Sequence, residues 1–494
     1  MIFEQIDYIP GNKKYQTLHG LLEQDWAMLL DSGTGLKQKE GSKANRYRRY
    51  DICVCQPSVR LSYDNEITSI YKGSQQTQSL SDKAPLECMR EILNEYRNLS
   101  SNLSYQDQPL SDLPFNGGWI GYISYDFGLQ QTINSNDQIS DFSIPLIQMG
   151  LYQWALISDH QNKTTRLYNF GLTETNWLSL KSKVVKLITD ASNKPLRQDF
   201  QLSNPFKSNL SFKDYAKGFN QIRDYIYAGD CYQVNFAQRF SAEYQGSILT
   251  AYESLAKENN SPFSAYLNFS NQQILSLSPE RFIEAHRGNV TTQPIKGTLP
   301  RDPDPKLDQQ LANQLINSNK DKAENLMIVD LLRNDLSKTA SKGSVKVSEL
   351  FGLYHFESVH HLISTVTSKL DDTYDNFDLL ATTLPGGSIT GAPKLRAMQI
   401  IDELESTKRG IYCGIIGYID FIDNMDTNIC IRTLISDSHK LYCWAGGGLV
   451  ADSQLDLEYQ ETFDKLNKIL PILDQTVILK QTATLKPIMG DKNL

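Results

Sequence analysis

Strand-like and helix-like segments come in unequal runs along this chain, and that pattern limits the folds open to it more than any other feature. Tyr50-Asp51-Ile52-Cys53-Val54-Cys55 and Trp119-Ile120-Gly121-Tyr122-Ile123-Ser124-Tyr125 are rich in β-branched and aromatic residues and flanked by glycine or polar turns, so they read as strands. Further on, Ser211 is placed to cap a helix with the apolar stripe Tyr215, Phe219, Ile222 and Ile226. Gly229 ends that helix, and Tyr232-Gln233-Val234-Asn235-Phe236 opens another strand. Regular strand–helix–strand units would imply a parallel sheet; their absence points to an α+β fold with antiparallel sheets. Three polar stretches, Arg97 to Pro114, Gln130 to Asp141 and Ser192 to Ser211, read as loops. The last carries Pro195 and Pro205 and is the expected boundary between an N-terminal region, residues 1–195, and a second region, residues 205–475.

Charge and cysteine usage exclude several function classes. The 494 residues carry a formal net charge of −8, which argues against a nucleic-acid surface. Such a chain binds an anion only through locally placed cations or a metal. Seven cysteines (Cys53, Cys55, Cys88, Cys231, Cys413, Cys430 and Cys443) are scattered without zinc or CxxC spacing, which fits a reducing compartment. No basic-then-apolar leader opens the chain and no apolar run is long enough for a bilayer, so a cytoplasmic protein without a membrane segment is expected.

Chemistry-bearing residues concentrate in the second region. Lys296 sits in Pro294-Ile295-Lys296-Gly297-Thr298, where the backbone is stiff and then permissive, downstream of Ser278-Pro279-Glu280. Asp321 and Glu324 share a face of one expected helix, with Leu326, Met327, Val329 and Leu331 as its buried side. On a second, Tyr459, Phe463, Leu466 and Leu470 form the apolar stripe, and Glu458, Glu461 and Lys465 lie off it. Each is by itself an ordinary amphipathic helix. If the two acidic faces meet across a cleft, they make an oxygen-rich site suited to Mg²⁺. Two glycine clusters follow. Pro385-Gly386-Gly387-Ser388-Ile389-Thr390-Gly391-Ala392-Pro393-Lys394 precedes an expected helix over 395–404, and Ala445-Gly446-Gly447-Gly448 is expected just past a strand ending at Trp444. The first can offer N–H groups to an anion, and the second lets a ligand approach the backbone. Arg432, expected within a strand, needs an anion: a substrate carboxylate or an internal acid. His360-His361 lies in an apolar context.

Taken in order from about Ser211 to Leu470, these segments resemble the chorismate-using enzymes. The match includes Gly229-Asp230-Cys231-Tyr232-Gln233-Val234-Asn235 and Glu324-Asn325-Leu326-Met327-Ile328-Val329-Asp330-Leu331-Leu332-Arg333-Asn334-Asp335. The front of the chain is similar too, through Leu29-Leu30-Asp31-Ser32-Gly33 and Gly117-Gly118-Trp119-Ile120-Gly121-Tyr122. The resemblance implies a fold of the anthranilate-synthase component I type, with two large antiparallel sheets around a central core and helices outside. It implies chorismate as substrate and Mg²⁺ on Glu324 and Glu461, with Asp321 and Glu458 as direct or water-bridged helpers. Arg432 and Tyr412 would hold the enolpyruvyl carboxylate with the backbone of Gly446, Gly447 and Gly448. Lys465 and Ser388 would line the substrate, and His361 would stand near the ring.

Family members with alanine at position 296 aminate or hydrate the ring directly; the lysine-bearing branch reads as this chain does. By that resemblance Lys296 attacks ring C2 while the 4-hydroxyl leaves with a proton from Glu280. Ammonia then adds at C4, giving 4-amino-4-deoxychorismate, a precursor of p-aminobenzoate and folate. An anthranilate-forming enzyme, and a non-catalytic binder of chorismate or an amino acid, are the competing readings. No cysteine has a glutaminase context, so ammonia is expected from a separate glutamine amidotransferase subunit in a heterodimer, and a separate pyridoxal-phosphate lyase would act on the product. A tryptophan pocket like that of some relatives would use Ser32, Tyr47, Arg48, Arg49, Tyr50, Pro262, Phe263 and Ser264. Asp31 stands where feedback-regulated relatives carry glutamate, which argues against regulation there. No function is assigned to the insertion Thr34 to Asn45.

One physical condition follows. A free lysine has a pKa of about 10.4, leaving roughly one molecule in a thousand neutral near pH 7.4. A nucleophilic Lys296 needs a downward shift of about three units, ~4 kcal/mol. Burial in the cleft, with Mg²⁺ and Arg432 nearby, is the expected source.

Overall fold

A computed structural model describes residues 2–33, 47–64, 66–73, 77–100, 113–133, 142, 144–192, 200–356 and 358–474. The insertion Thr34 to Asn45 lies outside these residues, as do 101–112, 134–141 and 193–199 of the three polar stretches; the described part of the last carries the short strands Gln201–Leu202 and Lys207–Ser208. Arg97, read as the start of a loop, belongs to the last turn of the helix Pro85–Ser100.

Two large sheets organise the chain, and every described strand pairing is antiparallel. The larger runs Ile2–Ile6, Thr164–Asn169, Trp154–Asp159, Tyr50–Val54, Ala27–Asp31, Phe263–Phe269, Gln272–Ser278, Thr433–Asp437, Lys440–Leu449, Gln233–Gln245 and Gln201–Leu202, with two short strands also on Gln233–Gln245. The second begins with Ile295–Pro300, Val359–Lys369, Asn289–Thr292, Arg281–His286, Met425–Ile429 and Ile415–Asp420. It continues through Gly118–Ile123 and Ile147–Tyr152 to the strands of residues 59–81. Both sheets draw strands from either side of residues 195–205.

Strand periodicity explains why these segments are apolar throughout. Side chains alternate between faces along a strand, and in Ala27–Asp31 Met28 joins the core between the sheets while Ala27 and Leu29 join a second core. Between the sheets, Tyr122 meets Phe269 edge-on at 5.6 Å. On the outer side of the larger sheet, helices Lys14–Leu22 and Ile248–Asn259 add Leu18, Leu22 and Tyr252 to Leu277 and Leu434. A strand buried on both faces cannot show hydrophobic–polar alternation.

The helix starting after Ser211 runs Phe212–Ala228 with a reciprocal Ser211–Asp214 capping box, and Gly229 ends it at φ +83°. The acidic helix runs Asn319–Ser337, but its buried side is Asn325, Ile328, Val329, Leu332, Asp335 and Leu336. Leu326, expected inside, is 47% exposed. The glycine cluster expected after Trp444 is instead part of the strand Lys440–Leu449. Its three glycines pair with Asn235, Phe236 and Ala237. A Cβ on Gly448 would stand 2.3 Å from Gln233 Nε2, and one on Gly446 2.6 Å from the Phe236 carbonyl oxygen, so neighbouring side chains fill the space glycine leaves.

Candidate active site

Three segments converge around Lys296. The first is the turn after Gln272–Ser278. Ser278 Oγ donates to the Ile429 carbonyl at 2.6 Å and accepts the Glu280 N–H at 3.2 Å, which fixes the backbone of the acid. The Glu280 carboxyl, 7% exposed, takes the Ile295 N–H and the Ser388 hydroxyl as donors. Burial outweighs these donors and the nearby Lys296, and the carboxyl is pushed up to about 7.

The second segment is Ile295–Pro300, which carries Lys296 half-buried. Among the described residues its ammonium has no ion-pair or hydrogen-bond partner. Its pKa is lowered, first by burial and then by Lys465, against the opposing pull of Glu324, Glu280 and Glu461. The cation that presses on it is thus Lys465, rather than the expected Arg432.

The third is the helix Leu455–Asp464. Glu458 is held by Ser453 Oγ at 2.6 Å and is raised, chiefly by burial. Burial would also raise Glu461, but Lys465, Lys296 and Lys320 prevail and lower it. Lys465 Nζ lies 2.7 Å from Glu461 Oε1 and 2.7 Å from the Gly446 carbonyl. Gly447 separates the two carboxylates: a Cβ there would sit 3.0 Å from Glu458 Oε2 and 3.6 Å from Glu461 Oε1. Across from them Glu324 is raised by burial, with Asp321 and Glu461 adding to the effect and Lys296 and Lys320 opposing it. Asp321 flanks Lys296 through Gly297, whose Cβ would lie 3.0 Å from Asp321 Cγ. The two acidic helices therefore share one electrostatic neighbourhood. Among the described residues, however, no three His, Cys, Asp or Glu side chains stand close enough to form a metal cluster.

A cavity of about 490 Å³ has Pro279, His361, Arg432 and Lys465 in its wall. His361 is 5% exposed, and burial, with Arg432 second, brings it down to about 3. Arg432 lies just before the strand Thr433–Asp437 at φ +52°, not within it. It has no carboxylate partner among the described residues, so an internal salt bridge does not occupy it. Tyr412 is buried away from this wall, stacked on Trp444 with centroids 6.4 Å apart and beneath the Arg409 guanidinium at 5.5 Å. Ser388 sits in a single 3₁₀ turn, Gly387–Ile389.

Several supporting residues carried no sequence signal. Arg409 binds Glu405 at 2.6 Å, the Asn235 carbonyl at 2.7 Å and the Ile389 carbonyl at 3.3 Å, which ties the Ser388 loop to the larger sheet. Lys394 Nζ holds Asp335 at 2.8 Å and the Thr383 and Pro385 carbonyls. Lys320 acts on three of the four carboxylates. The Arg409–Glu405 and Lys320–Glu324 pairs have helical i,i+4 spacing, whereas the reach of Arg409 to Asn235, of Lys394 to Asp335 and of Lys320 to Glu458 and Glu461 is long-range and not encoded locally.

The residues expected to form a tryptophan pocket surround a second cavity of about 750 Å³, whose wall includes Ser32, Tyr47, Arg49, Tyr50, Pro262, Phe263 and Ser264. Arg48 is the exception. It faces the smaller cavity, with Nη2 donating to the Asn260 carbonyl at 2.8 Å. Behind Ser32, Lys14 Nζ is 1% exposed and bridges Asp31 and Asp51, the latter at 2.9 Å.

The fold is that of one enzyme class: residues 48–471 match the chorismate binding enzyme family, and the chain belongs to it. It is 45% identical over 449 residues to aminodeoxychorismate synthase component 1 of Salmonella typhimurium, covering 91% of this chain and 93% of that protein. To the Escherichia coli protein of the same name it is 43% identical, over 91% of this chain and 94% of that one. Among solved structures it is similar to anthranilate synthase component I from Streptococcus pneumoniae, with a TM-score of 0.73 and 29% identity over 88% of this chain and 93% of that chain. No described helix is long and apolar enough to cross a membrane.

Proposed function

We propose that this chain converts chorismate and ammonia to 4-amino-4-deoxychorismate, as component I of an aminodeoxychorismate synthase. The observation that carries this reading is Lys296, an amine without an ion-pair partner among the described residues, lowered in pKa and placed in the field of a Glu280 held near neutrality. A solvated surface lysine would have neither property. The identity to two aminodeoxychorismate synthases, 43–45%, against 29% for the anthranilate synthase, supports the same branch.

In this reaction Lys296 Nζ forms a bond to ring C2 as both ring double bonds shift by one position and the C4–oxygen bond breaks. Glu280 gives its proton to the departing oxygen, which leaves as water, and the acid becomes a carboxylate. Ammonia then attacks C4, both ring double bonds return, and the C2–Nζ bond breaks. The carboxylate takes up the proton that ammonia releases, so both groups return to their starting states. Arg432 is suited to a substrate carboxylate because its guanidinium is desolvated and without an acid partner among the described residues. The 446–448 backbone would approach the same ligand.

The donor set fits a hard divalent cation, since all four groups are carboxylates and Mg²⁺ is usually held by one or two of them plus substrate oxygens and water. Glu324 and Glu461 would hold Mg²⁺, with Asp321 and Glu458 in support; bound there, it would offset the charge of the ring carboxylate. A separate glutaminase subunit would supply the ammonia, and the reducing, cytoplasmic setting is supported by seven free cysteines. L-Tryptophan would be the ligand of the 750 Å³ cavity.

The test is incubation of the purified chain with chorismate, an ammonium salt and Mg²⁺, with products resolved by chromatography and mass. A 4-amino-4-deoxychorismate peak that added lyase turns into p-aminobenzoate is expected. Anthranilate as the product would overturn the reading.

A further inference from the structure

The strand carrying Lys296 does not pair evenly with its neighbour. Ile295–Pro300 meets Val359–Lys369 in a register that slips between Ile295 and Thr298. Gly297 accommodates the slip at φ +82°, in the left-handed region glycine tolerates. Lys296 thereby lies in the bulged stretch, outside the ladder. Thr298 falls opposite His361, where cross-strand side chains reach each other. Its Oγ1 stands 2.8 Å from His361 Nδ1.

His361 is otherwise enclosed. Phe356 packs edge-on against its ring with centroids 5.2 Å apart. The ring lines the 490 Å³ cavity beside Arg432 and Lys465. With Nδ1 engaged by Thr298, the ring atom left for a ligand is Nε2. A neutral imidazole carries one N–H, and the hydrogen bond at one nitrogen decides what the other can do. Here the Thr298 hydroxyl oxygen can accept a proton carried on Nδ1, and the Gly297 carbonyl adds to the pull toward a protonated ring.

We infer that Thr298 is a positioning residue: it accepts the Nδ1–H of His361 and holds the ring in the tautomer that leaves the Nε2 lone pair for the substrate cavity. An acceptor there suits a ligand that brings an O–H or N–H, such as a ring hydroxyl or incoming ammonia. Because burial and Arg432 keep the imidazole from charging near neutrality, the lone pair orients such a donor and does not capture its proton. The identity of the ligand rests on the function proposed above; the tautomer does not.

The experiment is a long-range proton–nitrogen spectrum of the full chain labelled with ¹⁵N-histidine, with His361 assigned by the signals that vanish in His361→Gln. Protonated Nδ1 and bare Nε2 are expected in the wild type. In Thr298→Val the His361 signals should move toward a mixture of tautomers. With ammonium as nitrogen source, kcat should fall about tenfold while KM for chorismate stays within about twofold. Thr298→Ser should restore both. An Nε2–H tautomer in the wild type overturns the inference, as does an unchanged tautomer in Thr298→Val. If Thr298→Val does not fold, the wild-type and Thr298→Ser spectra still decide. A fixed Nδ1–H tautomer in a chain that makes no aminodeoxychorismate would sink the proposed reaction and leave the inference standing.

Discussion

Replacing Glu280 by glutamine should change the shape of the pH profile as well as its height. In the proposed reaction the productive state needs Glu280 protonated and Lys296 neutral. Glu280 is held at about 7, against its ordinary 4.5, by burial. Lys296 lies below its ordinary 10.5 because burial and Lys465 outweigh the nearby carboxylates. Below pH 7 the acid is in place and the neutral amine grows tenfold per pH unit. Between 7 and the lysine's own pKa, loss of acid cancels gain of amine, so kcat/KM is flat; above that it falls. The height of the plateau measures the lysine. At an unshifted 10.5, about 3.5 units above Glu280 (10.5 − 7), roughly one molecule in three thousand is productive, equivalent to ~4.8 kcal/mol. Each unit of lowering recovers a factor of ten, or about 1.4 kcal/mol.

Glu280→Gln removes the transferable proton and should cost about 10²–10⁴-fold. Its profile should also rise straight through pH 7 with no plateau. The ratio of wild type to variant is then constant below pH 7 and shrinks tenfold per unit above it. The assay is kcat/KM for chorismate from about pH 5.5 to 9 at constant unionised ammonia, with product measured by chromatography. A ratio that does not change across pH 7, or a variant within about threefold of wild type, refutes Glu280 as the acid.

Further outcomes follow from other parts of the structure. Gly447→Ala places a methyl 3.0 Å from Glu458 Oε2 and 3.6 Å from Glu461 Oε1; it should raise the half-saturating Mg²⁺ concentration at least about fivefold, ~1 kcal/mol, and a titration curve that overlays the wild type would refute the shared site. Lys14→Met takes from Asp31 and Asp51 the buried cation they share, leaving Asp31 to neutral donors and Asp51 to Ser32 and His160; urea unfolding should show a loss of about 3–5 kcal/mol, and a loss under about 1 would contradict it. Lys14 is raised above its ordinary 10.5, so its contribution is complete below that pH and lost only as pH climbs past the folded value; the loss should therefore be equal at pH 6 and pH 8. L-Tryptophan at about a hundred times its dissociation constant should add ~2.7 kcal/mol of stability, read as a raised melting temperature, and no shift at saturating ligand would leave the 750 Å³ cavity to another occupant.

The sequence reading reached local structure where a local cause operates. Ser211 and Asp214 cap a helix and Gly229 ends it because those residues satisfy or release nearby backbone groups whatever lies elsewhere. It missed burial wherever a distant partner sets it. Leu326 is exposed and Asn325 buried because Asn325 accepts the Ser364 hydroxyl from the neighbouring sheet, a contact 39 residues away. The glycines at 446–448 read as a turn because glycine weakens an isolated strand. They are strand because Gln233, Asn235 and Phe236 on the next strand occupy the room their side chains would need.

By itself the sequence determined the class of fold, the order of the motifs and the family, and it singled out the amine and the acid of the proposed reaction, since these depend on residue type and spacing along one chain. Tertiary structure alone decided which charges act on Lys296. Lys465, 169 positions away (465 − 296), presses on the amine, while Arg432 has no carboxylate partner among the described residues. It also decided the register that sets Thr298 against His361. Both are distances across space, fixed by how two sheets and two acidic helices pack, and Coulomb and hydrogen-bond energies follow those distances rather than positions in the chain.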